Sequence, residues 1–463
     1  MTNTQSPRSR WKLVRLLLIL SIGKVFAQSE AISPNPEPPE PAILWAFKNP
    51  SMLGVFNKES RWNVNVFSLD YNLSSNTADI QLKSIFKLSA DLLRSDVLGT
   101  SKISTGAGAL DLRGPSFSYR ISNRLVVGLT TRARLHANYW EVDGRLVSEI
   151  GELTKVIHEY PYVLPRAENS KANITMFSEL GAVAAYEFKS NEFHSWTIGG
   201  TLKYVNGIAN TTLETAQLEG IIKSTPTQTS YLTDATGSVT ARTSGNFFGD
   251  ATFGNLVGFQ RASIAADLGL TYAFRKSRNL PINFVLGISV TDIGKASYRA
   301  DSSFSKSYDV HISPSQQLYF NNNFANSSFS QTTRVFDKYP RFFSRKAVDT
   351  GKYDISLPTM LRLQASYFGL RRLSLTSELA VSLNSGKNLN KLYPVNLISV
   401  TPTFHRDREI SISLPISYQQ YGGGNVGLMF RYRGFFIGSN SLVSAIVKSR
   451  QVNAYTGFCL DLN

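Results

Sequence analysis

The stretch Arg124–Tyr139 reads RLVVGLTTRARLHANY, and its period of two decides the fold class. Leu125, Val127, Leu129, Thr131, Ala133, Leu135, Ala137 and Tyr139 share one face. Arg124, Val126, Gly128, Thr130, Arg132, Arg134, His136 and Asn138 share the other. A strand sends successive side chains to opposite sides, so this segment has one mainly apolar face and one charged face. The run exceeds the usual globular strand of roughly 5–6 residues. Similar runs recur along the chain near the length at which a tilted strand crosses a bilayer, about 9–11 residues.

Working outward from it, the same rhythm appears at 61–71, 109–121, 124–139, 174–188, 196–206, 264–274, 282–296, 353–368, 373–383, 395–405, 410–421, 426–433, 435–439 and 452–462. Within most pairs the connection is short. Between pairs it is mostly long, at 72–104, 140–172, 207–260, 295–352 and 385–394. Short turns at one end and long loops at the other are the plan of an antiparallel transmembrane β-barrel, here of about fourteen strands. Residues 223–258 and 298–335 have room for further hairpins. The alternation changes phase at Gly114-Pro115 and at Pro358. Proline removes a ladder donor, so both spots read as bulges. Gly422-Gly423-Gly424 reads as a tight turn. Asn440–Ser449 reads as a short helical loop before the last strand. In that strand Ala454, Thr456, Phe458, Leu460 and Leu462 face lipid, while Tyr455, Gly457, Cys459 and Asp461 face inward. Ile80, Leu82, Ile85, Phe86, Leu88, Leu92 and Leu93 fall near helical spacing. An amphipathic helix is therefore expected over Asp79–Asp96, packed on a loop, in the barrel mouth or on the lipid surface.

The N-terminus reads as a secretory signal peptide, residues 1–27. Arg8, Arg10, Lys12 and Arg15 form the basic region, Leu16–Ile22 the apolar core, and Val25-Phe26-Ala27 the cleavage site. Residues 28–48 are expected to form a Pro-rich tether, extended over SPNPEPPEP at 33–41. The barrel then occupies 49–463. The chain carries a net charge of +16, and removing the signal's five basic residues leaves +11. These charges are scattered singly with no basic block, which argues against nucleic acid and for an anionic membrane surface. Cys459 is the single cysteine, so no internal disulfide holds the fold. A closed barrel in lipid supplies that stability instead.

With the apolar face outward, the opposite face becomes a lumen inventory. It comprises Asp111, Arg113, Arg132, Arg134, His136, Glu179, Glu187, Lys203, Asp267, Arg362, Gln364, Glu378, Arg431 and Arg433. Both signs are present. The reading is a self-neutralising ion-pair network across the interior, with an arginine-lined ligand or ion path as the alternative. His136 beside Asn138 reads as a satisfied interior histidine. The histidines are scattered, no GxSxG, HExxH or CxxC spacing occurs, and carboxylates are sparse. No enzyme activity, metal site or cofactor is therefore expected.

Asn49-Pro50-Ser51, ahead of the first strand, resembles the N-P-A opening of FadL-type fatty-acid transporters and of PorV-like proteins, with Ser51 in the third place. Gly287–Gly294 (GISVTDIG), Leu357-Pro358 and Gly434–Asn440 (GFFIGSN) look like a large uncharacterised outer-membrane barrel family of Bacteroidota. The resemblance covers nearly the whole mature chain. It implies fourteen strands, an N-terminal plug and a place in the outer membrane. It carries over no ligand-binding residue.

Three functions are open at this point. The first is FadL-like transport of small molecules, amphipathic ones included. The second is a non-transporting accessory or scaffold barrel for secretion or surface assembly. The third is a soluble secreted β-sandwich adhesin. Outer-membrane lipid, lipopolysaccharide and the barrel-assembly machinery are the expected partners of the first two.

Overall fold

The structure, a computed structural model, describes residues 42–56, 61–78, 103–150, 159–167, 170–227, 229–245, 262–276, 282–320, 332–348, 350–370, 372–406 and 410–462. The expected signal peptide, residues 28–41 of the tether and the helix at 79–96 lie outside these residues.

Fourteen staves close one ring. They are β1 (Trp62–Ser75), β2 (Ile103–Arg113 continued by Ser116–Arg120), β3 (Leu125–Asp143), β4 (Lys171–Ser190), β5 (His194–Ser224), β6 (Ala262–Arg275) and β7 (Ile282–Arg299). Then follow β8 (Lys352–Ser356 continued by Met360–Leu370), β9 (Leu373–Ser382), β10 (Leu397–His405), β11 (Ile410–Ser413 continued by Ile416–Gln419), β12 (Gly423–Val426 continued by Leu428–Tyr432), β13 (Phe435–Ser439) and β14 (Gln451–Leu462). Each stave pairs antiparallel with its sequence neighbours. β14 closes on β1 from Trp62 opposite Leu462 to Ser74 opposite Gln451. The fourteen segments legible in the sequence are these staves.

The two proline sites are breaks, as the phase changes require. Gly114-Pro115 separates the halves of β2, and 357–359 separates those of β8. Short turns form where a side chain closes them. Ser122 Oγ accepts the amides of Arg124 and Leu125, and Asn191 Oδ1 accepts those of Phe193 and His194. The face assignment holds in space. Leu129, Leu202, Ile264, Leu268, Leu363 and Ile398 are exposed on the outside, while their chain neighbours are buried inside. At the short-turn end Trp62, Tyr186, Phe188, Trp196, Tyr367, Phe404 and Tyr432 form an exposed aromatic girdle. Rings with an apolar body and a polar edge suit a membrane–water boundary. No described helix is long and apolar enough to cross a membrane.

The long-loop end departs from the sequence reading. The connections expected at 140–172, 207–260 and 295–352 carry regular structure. β5 runs on for 31 residues in all. Its upper half pairs with Tyr162–Ala167 on one side and Ser230–Ser244 on the other. Ser230–Ser244 pairs in turn with Lys306–Ile312 and Leu318–Tyr319, and Lys306–Ile312 with Phe343–Lys346. This sheet is a crown standing above the barrel. Of the room for hairpins at 223–258 and 298–335, the described strands Ser230–Ser244, Lys306–Ile312 and Leu318–Tyr319 pair here, outside the ring. Alternation did not mark these strands because above the lipid belt both faces meet protein or water. Thr211, Thr212 and Ala241, for instance, are all buried. The crown's edges are guarded against further pairing by Pro165 at one and by exposed Ser344, Arg345 and Lys346 at the other.

Residues 42–56 fold into the lumen. Ala42–Phe47 is a 3₁₀ turn and Met52–Phe56 the short helix α1. Ile43, Trp45, Met52 and Leu53 are fully buried against Val126, Val183, Val285 and Ala273 of the wall. Residues 42–48 are thus part of a plug, not of the tether. Their sequence, AILWAFK, is too apolar to remain in water, and the inner wall at this depth offers apolar partners.

Candidate functional site

The plug is seated by the Asn49-Pro50-Ser51 turn. Asn49 Oδ1 accepts Ser51 N (3.2 Å) and Ser51 Oγ (2.6 Å), which folds the turn on itself. The turn and Lys48 beside it then reach four staves. Ser51 Oγ lies 2.6 Å from Thr271 Oγ1 on β6, and Asn49 Nδ2 donates to Gln364 Oε1 on β8 at 3.3 Å. Ser289 Oγ on β7 donates to the Lys48 carbonyl at 2.7 Å, and Lys48 Nζ pairs with Glu378 of β9 at 3.3 Å. The wall is bare where the turn touches it. A Cβ at Gly199 would strike the Ser51 backbone, one at Gly269 the Asn49 amide oxygen, and one at Gly287 the Met52 methyl. These glycines stand on consecutive staves, and close approach is what they permit.

Above the plug lies the charge network. Arg132 binds Asp111, and Arg113 reaches Asp111 at 3.2 Å and Asp70 at 3.8 Å. Arg134 pairs with Asp292 at 2.7 Å and Glu179 at 3.2 Å. Lys203 pairs with Asp292 at 2.6 Å, Asp267 at 2.8 Å and Glu179 at 3.8 Å. The guanidinium groups of Arg113 and Arg132 lie over the Phe47 ring of the plug, at 5.3 and 5.6 Å. Each of these cations has a carboxylate partner, as the self-neutralising reading expects. The mutual pairing offsets desolvation and leaves no cation in this group free to line an ion path. Arg362 pairs with Glu378 lower down.

Two members of the inventory sit differently from expectation. Arg433 is exposed, in the left-handed region (φ 53°) at the tight turn between β12 and β13. Its carbonyl accepts Arg431 Nε at 2.8 Å. The pattern put it inside because the β12 alternation was extended one residue into the turn. His136 is fully buried but not hydrogen-bonded to protein. It stacks on Phe177 with ring centroids 5.6 Å apart, and neither ring nitrogen has a partner among the described residues.

Asp70, Asp292, Lys48 and Phe47 complete the cluster and were not in the inventory. For Asp292 a signal existed. Val290 and Ile293 are both apolar, so the alternation slips within Gly287–Gly294. The slip is a bulge opposite β6 between Val290 and Ile293, with Asp292 at φ 59°. It turns Thr291 and Asp292 both inward.

At the crown, a cavity of about 190 Å³ opens between the sheet and helices α2 (Gly144–Ile150) and α3 (Thr332–Asp337). Its lining includes Leu146, Ile150, Leu164, Leu213, Leu218, Leu232, Val239, Val310, Phe320, Phe336 and Phe343, with Asp143, Ser170, Lys171 and Thr215 as its polar members. Asp143 caps α2, accepting the amides of Arg145 (2.8 Å) and Leu146 (3.0 Å). It also accepts Tyr162 Oη at 2.9 Å. Burial, and then the hydrogen bond to this carboxylate and its charge, push the Tyr162 hydroxyl up to about 12. Lys171 is paired with Glu214 at 3.0 Å. No group of metal-ligating side chains occurs among the described residues.

The model of a family described as "Family of unknown function (DUF5723)" matches residues 55–440. No curated protein matches the chain. Solved structures similar to it include the Pseudomonas putida toluene transporter TodX, at 9% identity over 95% of this chain and 100% of that one, TM-score 0.44. The Ralstonia pickettii toluene transporter TbuX has 12% identity over 93% and 100%, TM-score 0.42. A Pseudomonas aeruginosa FadL homologue has 10% identity over 93% and 96%, TM-score 0.41. At such scores the likeness adds nothing to what the hydrogen-bonded ring already establishes.

Proposed function

The chain belongs to the family of unknown function DUF5723, and on that footing we propose that it is an outer-membrane barrel that captures a small, mainly apolar molecule in its crown and passes it inward when the plug moves. The observation that carries this reading is the crown cavity. An apolar cavity of roughly 150 Å³ stays dry and takes up a benzene-sized guest. The cavity here, about 190 Å³, is of that order and lined almost wholly by hydrocarbon. The apolar outer face and the aromatic girdle support a setting in lipid and lipopolysaccharide. Its signal-like N-terminus supports export and assembly by the barrel-assembly machinery.

The test is saturable binding of a small apolar fluorophore to the folded barrel. Binding should be lost in Val239→Trp, which fills the cavity. No saturable binding by the parent, or equal binding by the variant, overturns the reading.

One observation favours the scaffold alternative. The lumen holds a plug locked to five staves and a charge network in which each cation has a carboxylate partner. A barrel that stays closed in planar bilayers with the captured molecule present would decide for the scaffold. Ligand-dependent opening would decide for transport.

A further inference from the structure

The connection between β9 and β10, residues 383–396, does not leave the barrel. In a ring of fourteen staves, β9 and β10 stand five to seven staves round from β3 and β4. The connection nevertheless bonds to both. Asn138 on β3 donates from Nδ2 to the Tyr393 carbonyl (2.8 Å) and accepts the Tyr393 amide at Oδ1 (3.0 Å). Asn173 on β4 donates to the Leu389 carbonyl at 2.8 Å. The segment therefore spans the mouth from wall to wall, over His136 and Thr175, which lie one inner position deeper on the same staves. Lys387 pairs with Glu141 on the surface, and Trp140 meets the Tyr393 ring edge-on at 5.2 Å.

The same segment is braced on its own side. Asn384 Nδ2 donates to the carbonyls of Leu357 (2.7 Å) and Leu392 (2.6 Å), and the Leu392 amide donates to Ser356 O at 3.0 Å. Gly386 bends it at φ +90°, with open space around the position. Its far anchor is the stretch that builds the cavity. Beyond Asn138, Trp140 and Glu141, the chain reaches Asp143, which caps α2, and Leu146 and Ile150 of that helix line the cavity.

We propose that 383–396 is a strap that gates passage from the crown cavity to the lumen, released when its far anchor on 138–141 lets go; the proposal rests on the crown being a capture site. The near anchors are backbone bonds and buried apolar contacts. The far ones are two asparagine side chains, the Trp140–Tyr393 ring contact, the packing of Leu392 near Phe177 and an exposed ion pair, with no backbone–backbone bond among them, so the far end is the one that side-chain changes can release. Movement at α2 on filling the cavity would be felt first at that end.

The test reads the strap without reading transport. The full chain carries a reporter thiol, Thr175→Cys, in a Cys459→Ser background. It is folded into phospholipid vesicles and exposed to a small water-soluble maleimide. Asn138→Ala should raise the labelling rate by about tenfold, the change expected from losing one to two net hydrogen bonds. Lys387→Glu, a surface change that places like charge opposite Glu141, should raise it in the same direction. Heat-modifiable migration checks that each variant is folded. Should Asn138→Ala fail that check, Lys387→Glu decides alone. Labelling unchanged by the deciding variants overturns the strap. Fluorophore binding at the crown is measured separately. Its absence overturns the capture reading while the labelling still reports the strap.

Discussion

At the scale of single residues, the structure assigns different penalties to positions that the alternation treats alike. Leu129 is 41% exposed on the apolar outside. Leu129→Arg should cost on the order of 2–4 kcal/mol near the bilayer midplane and lower the folded yield, read by heat-modifiable migration. Thr130, its inward neighbour, looks harmless to replace with arginine if the lumen is wet. It is instead buried beside Gly181, where an added Cβ would already crowd its hydroxyl. Gly269 offers a sharper experiment. Gly269→Val drives a side chain into Asn49 and should unseat the plug. Cys459 reports the result, because it lies buried with Leu44, Phe47, Met429, Phe436 and Tyr455 at the plug's edge. The thiol should resist both lipid-soluble and water-soluble reagents in the parent and react with the water-soluble one in Gly269→Val. Equal reactivity in the two proteins would show that the plug does not cover it.

At the scale of elements, two segments have contributions that can be measured separately. Asp143→Ala removes the cap of α2 and orphans the Tyr162 hydroxyl. Loss of such a cap costs about 1 kcal/mol. The variant should keep a folded barrel yet bind the crown fluorophore more weakly, whereas unchanged binding would detach α2 from the site. β14 is less forgiving. It closes the ring along the length of β1, and an open edge in hydrocarbon leaves backbone groups unpaired at several kcal/mol each. Deleting Val452–Asn463 should leave no heat-modifiable species at all. A truncated chain that still folds would mean that β13 closes on β1 directly.

At the scale of the molecule, a closed sheet with an apolar exterior should fractionate with the outer membrane. Recovery in the soluble fraction after mild lysis would refute that address. The interior is layered along the barrel axis: plug at the short-turn end, paired charges above it, strap at the mouth, cavity beyond. Each cation of the middle layer has a carboxylate within hydrogen-bonding reach. The pairing ties the walls to one another and to the Phe47 ring.

The sequence by itself determined the staves, their order, the inward and outward faces and the two proline breaks, because lipid on one side imposes a strict period of two. It also determined which charges face inward, with Arg433 the exception at a turn where the period ends. Only the tertiary structure decided the rest. That Asp292 joins Arg134 and Lys203 depends on which staves face each other across the lumen and on a bulge within GISVTDIG, while Asp70 reaches Arg113 diagonally across the adjacent β1–β2 pair. The plug depends on contacts between Asn49-Pro50-Ser51 and glycines more than a hundred residues away. The crown and the strap lie above the lipid, where no single solvent sorts the two faces of a strand and the pattern carries no address.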